Sequence, residues 1–182
     1  MSKIFTSHHN IVEFDANLQK LASSFCCGNE FIDNFLKGSL ALDSAIGKTY
    51  VWLSDDNSRI IGFYNITTGS VEELRDGKLY KIGGAVHIND FAVDVSYQKT
   101  LYDSNHSWYI SDVLLLDCIE RIEAIRDNSL GFSFVTLAST KEGFNLYSRN
   151  DFESMEDEMQ IPIVEDKESG CIPMYLPLDY EY

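Results

Sequence analysis

Hydrophobic residues recur at helical spacing after Ser111: Leu115, Cys118, Ile119, Ile122 and Ile125 form one face of a long amphipathic helix. The run before it, His87-Ile88-Asn89-Asp90-Phe91-Ala92-Val93-Asp94-Val95, is apolar and β-branched and predicts a strand. Between the two, Ser96 to Ser107 is polar and reads as a loop. Upstream, Lys3 to Ser7 reads as a first strand and Asn17 to Phe25 as a short helix or turn. Glu30 to Ala45 offers an apolar face through Phe31, Phe35, Leu36, Ala41 and Leu42, interrupted by Gly38, and predicts a helix ended by Gly47. Tyr50-Val51-Trp52-Leu53 and Arg59 to Thr68, separated by the turn cluster Asp55-Asp56-Asn57-Ser58, predict a hairpin. Gly69 to Gly83 is polar and reads as a connection with little regular structure.

Downstream, Asn128 to Gly131 stops the long helix and Phe132 to Leu137 predicts a strand. Ser139 and Glu142 have capping-box spacing ahead of a short helix carrying Phe144 and Tyr147. Phe152 to Ile163 and Cys171 to Leu176 predict a terminal antiparallel pair joined by an acidic loop. The resulting order, β-α-ββ-β-α-β-α-β-β, predicts one mixed α/β domain over residues 1–182. Its central sheet has six or seven strands with helices on both faces. A crossover through the long helix is right-handed and joins parallel strands. Asn89 to Val95 is therefore expected to lie centrally and, if the two are neighbours, parallel to Phe132–Leu137.

Composition narrows the class. A chain of 182 residues with 45% apolar and 24% charged content can bury a core and is not disordered. No apolar run reaches the ~18 residues of a membrane span. Met1-Ser2-Lys3-Ile4-Phe5 lacks the apolar core of a signal peptide, so a cytoplasmic location and no membrane partner are expected. Cys26, Cys27, Cys118 and Cys171 contain no Cys-x-x-Cys pair and read as reduced thiols. Adjacent His8 and His9 would face opposite ways in a strand, so no metal is expected. The 29 acidic residues outnumber 14 basic ones, a net charge of −15. That field repels phosphate backbones, so nucleic acid is not an expected partner, and tRNA retention at physiological salt is not expected. The acidic run from Asp151 to Glu168, opposed only by Lys167, reads as solvated surface rather than a cation site.

The strand-loop-helix stretch is a candidate anion site. The first helical N–H groups lack partners within the helix, and the helix dipole places roughly half a positive charge there. Many strand-to-helix connections share that geometry, so this stretch alone leaves phosphate binding open.

Three further pieces resemble one family. Phe25-Cys26-Cys27-Gly28-Asn29-Glu30-Phe31-Ile32-Asp33-Asn34-Phe35-Leu36-Lys37 looks like the F-x-C-G-x-x-x-L-D-x-F-L-K opening of a bacterial subgroup that includes tRNA-acetylating toxins. Ile61-Gly62-Phe63-Tyr64-Asn65-Ile66 lies on the hairpin's second strand. Asn89-Asp90-Phe91-Ala92-Val93-Asp94, then Tyr97-Gln98, the helix, and Leu146-Tyr147-Ser148-Arg149-Asn150-Asp151-Phe152 complete the pattern, the last resembling F-Y-x-x-x-G-F. In this order and spacing the chain resembles the Gcn5-related N-acetyltransferases over most of Phe25 to Phe152.

The resemblance implies acetyl-coenzyme A as co-substrate, wedged between two splayed parallel strands, here Asn89–Val95 and Phe132–Leu137 diverging at their C-terminal ends. Its pantetheine arm would pair with the backbone of Phe91, Ala92 and Val93, and its pyrophosphate would sit on the loop before the long helix. Gln98, Lys99, Ser104, Ser107 and Thr140 are the further cofactor candidates. Tyr147 would protonate the leaving thiolate as general acid. His87 and Asp90 are candidates for the base, although both also fit structural roles. The implied reaction is direct attack of an amine, on a small molecule or a protein, upon the acetyl thioester.

The chain departs from the family's Gln/Arg-x-x-Gly-x-Gly/Ala loop. Leu101 and Asp103 stand where small residues belong, and no glycine occurs between Gly84 and Gly131. Glycine permits phosphate to approach bare backbone. The loop reads as lengthened, with N–H donors moved to Ser104–Trp108. Thr140 replaces a common asparagine and Asp151 a glycine. A catalytically degenerate fold serving as a ligand-binding or regulatory module is therefore the alternative function. A homodimer through the aromatic strand Met174-Tyr175-Leu176 is plausible if that strand forms an edge.

Overall fold

The computed structural model describes residues 10–103, 107–162 and 170–178. Its elements are β1 (Ile11–Glu13), α1 (Gln19–Ala22), α2 (Glu30–Lys37), β2 (Lys48–Leu53), β3 (Ile60–Arg75), β4 (Lys78–Val93), β5 (Leu101–Asp103), β6 (Trp108–Tyr109), α3 (Ile110–Asn128), β7 (Phe134–Ser139), α4 (Phe144–Ser148), β8 (Glu153–Ser154), β9 (Met159–Gln160) and β10 (Ile172–Pro177). The strand expected at Lys3–Ser7 lies outside the described residues. The hydrogen-bonded order is β1-β2-β3-β4-β7-β10-β8, with β9 pairing only with β3, so the expected mixed α/β sheet is present. The chain divides into two compact units. One holds the residues up to Tyr64 together with Phe91–Cys118; the other holds Asn65–Asp90 and the chain from Ile119 onward.

In the first unit β1 runs antiparallel to β2, with Ile11 opposite Trp52. Phe14, Ala22, Phe25, Phe35, Leu36, Val51, Leu53 and Phe63 form its core. Phe63 is the hub: Phe25 meets it edge-on at 5.4 Å and Phe35 stacks on it at 6.2 Å. The Asn29 side chain caps α2 by accepting from the N–H groups of Phe31 and Ile32. This helix is shorter than the expected Glu30–Ala45. Gly38 leaves the helical region, at φ −86° and ψ −173°, and Leu40–Leu42 forms a separate 3₁₀ turn. The first half of α3 buries Leu114, Leu115 and Cys118, each contributing about 1–3 kcal/mol of hydrophobic stabilisation. The Tyr64 hydroxyl donates to Asp117 Oδ2 at 2.5 Å and fixes the helix rotation.

In the second unit, the supposed irregular connection Gly69–Gly83 is instead continuous strand. β3 and β4 turn into each other through Asp76-Gly77, whose φ values are 49° and 73°. Two consecutive left-handed residues make the hairpin turn whose twist matches that of the strands, and Asp-Gly is its sequence signal. The polar side chains of the hairpin hid its strands. β4 runs parallel to β7, with Ala85, Val86, His87 and Ile88 opposite Phe134, Val135, Thr136 and Leu137. α3 supplies the crossover, as the topology rule requires. The register ends at Ile88↔Leu137, although β4 continues to Val93 and β7 to Ser139. β10 is antiparallel to β7 on one side and to β8 on the other. Met174 and Tyr175 are thus flanked on both sides, so among the described residues the short β8 covers part of the edge on which the expected dimer depended.

Candidate active site

In the second unit β7 ends at Ser139 and a tight turn leads to α4. The expected capping box does not form. Ser139 is still strand, its hydroxyl donates to Thr140 O, and Thr140 Oγ1 accepts from Gly143 N instead. Tyr147 is buried on α4, its ring meeting that of Phe152 edge-on at 5.7 Å. A Cβ on Gly143 would stand 3.3 Å from both Tyr147 Cε2 and Ser139 Oγ, so the missing side chain lets the phenol lie against the turn. Phe152 N donates to Tyr147 O. Asp151 adopts φ 68°, the left-handed conformation that glycine favours and that Asp tolerates better than most residues.

Two candidate bases lie on β4 in the same unit, in different environments. His87 is buried and its Nδ1 pairs with Thr136 Oγ1 at 2.9 Å. Burial pulls its pKa down to about 4, so it is neutral at pH 7 and a weak base. Asp90 is half-buried, and burial pushes its carboxyl up to about 6. Among the described residues no hydrogen bond or ion pair reaches its carboxylate. It stands two residues past the last β4–β7 register pair. Between them, Asn89 donates to buried Asn65 across the β3–β4 pair.

In the first unit the end of β4 is knitted to the Phe25–Lys37 motif. Asp94, which sequence reasoning did not single out, is the centre. Its carboxylate accepts from Cys26 N at 3.0 Å and Ser96 N at 2.9 Å, and Val95 N donates to Cys26 O. Asp33, the acid of the motif, accepts from Cys27 N at 2.7 Å. Gly28 turns the chain between them at φ 88°. Burial raises the Cys27 thiol to about 12, which rules it out as a nucleophile at neutral pH. Gln98 is bound from its side chain to Cys27 O at 2.8 Å and Val93 O at 2.9 Å, so its amide clamps the motif to the strand. Phe91, Ala92 and Val93 form the end of β4 just before this clamp.

The loop after β4 differs from the expected structureless segment. Residues 101–103 and 108–109 pair as a small hairpin, closed at its base by Ile110 N donating to Thr100 O at 3.0 Å. Lys99 sits before it at φ 59°, and Ser107 within it at φ 55°. Ser104 lies outside the described residues. Tyr109 N donates to Asp112 Oδ2 in the first turn of α3. Among the described residues no group of three His, Cys, Asp or Glu could hold a metal ion. No helix among them is long and apolar enough to cross a membrane. The four cysteines are free thiols.

No family model matches the chain, and no curated protein does. Solved structures do. A complex of KacTA with DNA matches at 19% identity, covering 92% of this chain and 91% of that one, with a TM-score of 0.66. AtaTR bound with acetyl-coenzyme A matches at 17% identity and 92% coverage of both chains, TM-score 0.66. AtaT complexed with acetyl-methionyl-tRNAfMet matches at 19% identity over 92% of this chain and 93% of that one, TM-score 0.62. A tyrosine-to-phenylalanine mutant of the AtaT toxin with acetyl-coenzyme A is similar too. These likenesses show that the chain shares the fold of the KacT and AtaT proteins. They also overturn the exclusion of nucleic acid drawn from net charge, because proteins of this fold occur in complexes with DNA and tRNA. A net charge sums the whole surface, whereas a nucleic acid meets one patch of it.

Proposed function

We propose that the chain is an acetyl-coenzyme A-dependent N-acetyltransferase. The observation that carries this is the register of β4 and β7, which stops at Ile88↔Leu137 while β4 runs on for five more residues. A central strand extended past its parallel neighbour can pair its backbone with an extended ligand, and the pantetheine arm of the coenzyme has amides for that purpose. Phe91, Ala92 and Val93 take the arm. The neutral amine attacks the thioester carbonyl, and its nitrogen–carbon bond forms as the carbon–sulfur bond breaks. Asp90 accepts the proton lost by the amine, and Tyr147 gives one to the departing thiolate. His87, paired with Thr136 and hard to protonate, holds the strands in place. Acetyl-coenzyme A complexes of similar folds support the donor, and the acetyl-methionyl-tRNA complex makes aminoacyl-tRNA the acceptor class to assay beside small and protein amines. Free thiols and an acetyl-coenzyme A donor suit a cytoplasmic setting.

A thermal-shift titration with acetyl-coenzyme A tests the donor, since binding to the native state adds RT ln(1 + [L]/Kd), about 2.7 kcal/mol at a hundredfold excess. Thiol release on adding aminoacyl-tRNA, polyamines or peptides tests the transfer. No shift at millimolar donor removes the enzyme reading and leaves the regulatory module, which the internally bonded loop after β4 favours.

A further inference from the structure

The turn between β7 and α4 closes around a glycine. A Cβ on Gly143 would stand 3.3 Å from Ser139 Oγ, 3.3 Å from Tyr147 Cε2 and 3.5 Å from Thr140 Oγ1. Two hydroxyls and the edge of the phenol ring therefore converge where Gly143 has no side chain. Residues four apart lie one above the other on a helix, which brings the Tyr147 ring over Gly143. Gly143 has an ordinary backbone, at φ −79° and ψ −20°, so its conformational freedom is not what the site uses. What it supplies is room.

The Thr140 hydroxyl closes this turn. Its oxygen accepts from Gly143 N at 3.2 Å, while Thr140 O accepts from Phe144 N at 3.1 Å. Gly143 O in turn accepts from Leu146 N at 2.9 Å. Ser139 anchors the other end: it is buried, pairs with Ile172 of β10 and donates to Thr140 O at 2.8 Å. These bonds matter because α4 has only 5 residues, Phe144–Ser148, and no side-chain cap among the described residues. So short a helix does not hold itself in water, and its place is set by what it is tied to. A hydroxyl bonded to a nearby backbone N–H is such a tie.

We propose that Thr140 and Gly143 position the general acid: the hydroxyl holds the turn, and the absent side chain leaves the place in which the Tyr147 ring lies. The inference rests on the acetyltransferase reading and assigns Thr140 to Tyr147 rather than to the coenzyme. Position matters steeply, since a displacement of about 1 Å can cost about a hundredfold in rate. Thr140→Val keeps the branched shape and removes the acceptor from Gly143 N. Gly143→Ala fits the backbone and presses a methyl group against the ring.

The test measures kcat by thiol release at saturating acetyl-coenzyme A with one acceptor, and Kd for acetyl-coenzyme A by titration calorimetry. Each variant is made alone and on the Tyr147→Phe background. Thr140→Val and Gly143→Ala are each expected to lower kcat about tenfold, with Kd within about twofold of wild type. Neither should lower kcat further once the phenol hydroxyl is gone, because groups acting as a unit do not add. Thr140→Ser, which keeps the hydroxyl, should stay within about twofold of wild-type turnover. Equal losses with and without the phenol hydroxyl overturn the proposal, since the turn would then act independently of the acid. So does a rise in Kd of about tenfold or more with kcat kept, which makes Thr140 a coenzyme ligand. Wild-type kcat in both variants overturns it as well. Gly143→Ala supplies the same comparison should Thr140→Val not fold. Failure of wild type to bind acetyl-coenzyme A overturns the acetyltransferase reading itself. Full turnover in Tyr147→Phe removes the acid and the positioning role with it, and leaves the donor reading standing.

Discussion

Replacing Asp90 by asparagine should stabilise the protein at neutral pH while slowing acetyl transfer. Burial raises this carboxyl from 3.8 to about 6. The folded state thus holds a proton that the unfolded chain gives up from about pH 4 upward. Stability associated with the protonated acid is complete below the unfolded pKa and is lost as pH rises through about 6. A gap of about 2 units corresponds to about 3 kcal/mol at 1.36 kcal/mol per unit. Part of the side chain still meets water, which reduces the expectation to about 1–3 kcal/mol. For a chain of this size that is about 3–8 °C in Tm. The asparagine side chain keeps the shape of the acid and has no charge to desolvate. Differential scanning calorimetry should therefore place Asp90→Asn above wild type at pH 7.5 and level with it near pH 4. In the same preparation kcat should fall by about a hundredfold, the lower end of what a positioned base supplies. A mutant less stable than wild type at pH 7.5, or offset equally at both pH values, would refute the assignment of Asp90 as a desolvated carboxylate without a polar partner.

Tyr147→Phe should lower turnover at least about tenfold in a thiol-release assay, while the Kd for acetyl-coenzyme A stays within about twofold, because the ring still packs on Phe152 and only the acid is lost. Gly62→Ala should cost about 2 kcal/mol or more in a urea melt, since the new Cβ would meet Ala92 O and Leu114 Cδ2 at 2.8 Å and one of those contacts is backbone. Asn29→Ala should cost about 1 kcal/mol by the same measurement through loss of the α2 cap. His87, held neutral by burial, should make the protein acid-sensitive. Its contribution is complete above about 6.5 and drains as pH falls towards about 4, so His87→Gln should flatten the fall in Tm over that window.

How far the sequence could be read depended on whether a signal was local. The α3 periodicity, the β4 run and the stop at Asn128 were local and led to the parallel β4–β7 pair with its helical crossover. The distal β3–β4 hairpin escaped because its polar, two-sided strands lack alternation, although Asp76-Gly77 was a turn signal in plain sight. The same division runs through the site. Tyr147 could be found from spacing, but the difference between His87 and Asp90 could not. One is paired to Thr136, 49 positions away, and the carboxylate of the other meets no polar partner among the described residues, which only the folded sheet determines. Substituted glycines taught two opposite lessons. Asp151 looked like damage and adopts a left-handed backbone of the kind glycine favours. The glycine-free loop looked merely lengthened, yet several of its described N–H groups have turned inward, those of Tyr97 and Gln98 onto Asp94, of Thr100 onto Tyr97 and of Ile110 onto Thr100. A missing glycine is therefore not evidence by itself. What decides between a retained and a lost phosphate site is whether the N–H groups that face it still lack partners, a property of the folded loop and not of its glycine count.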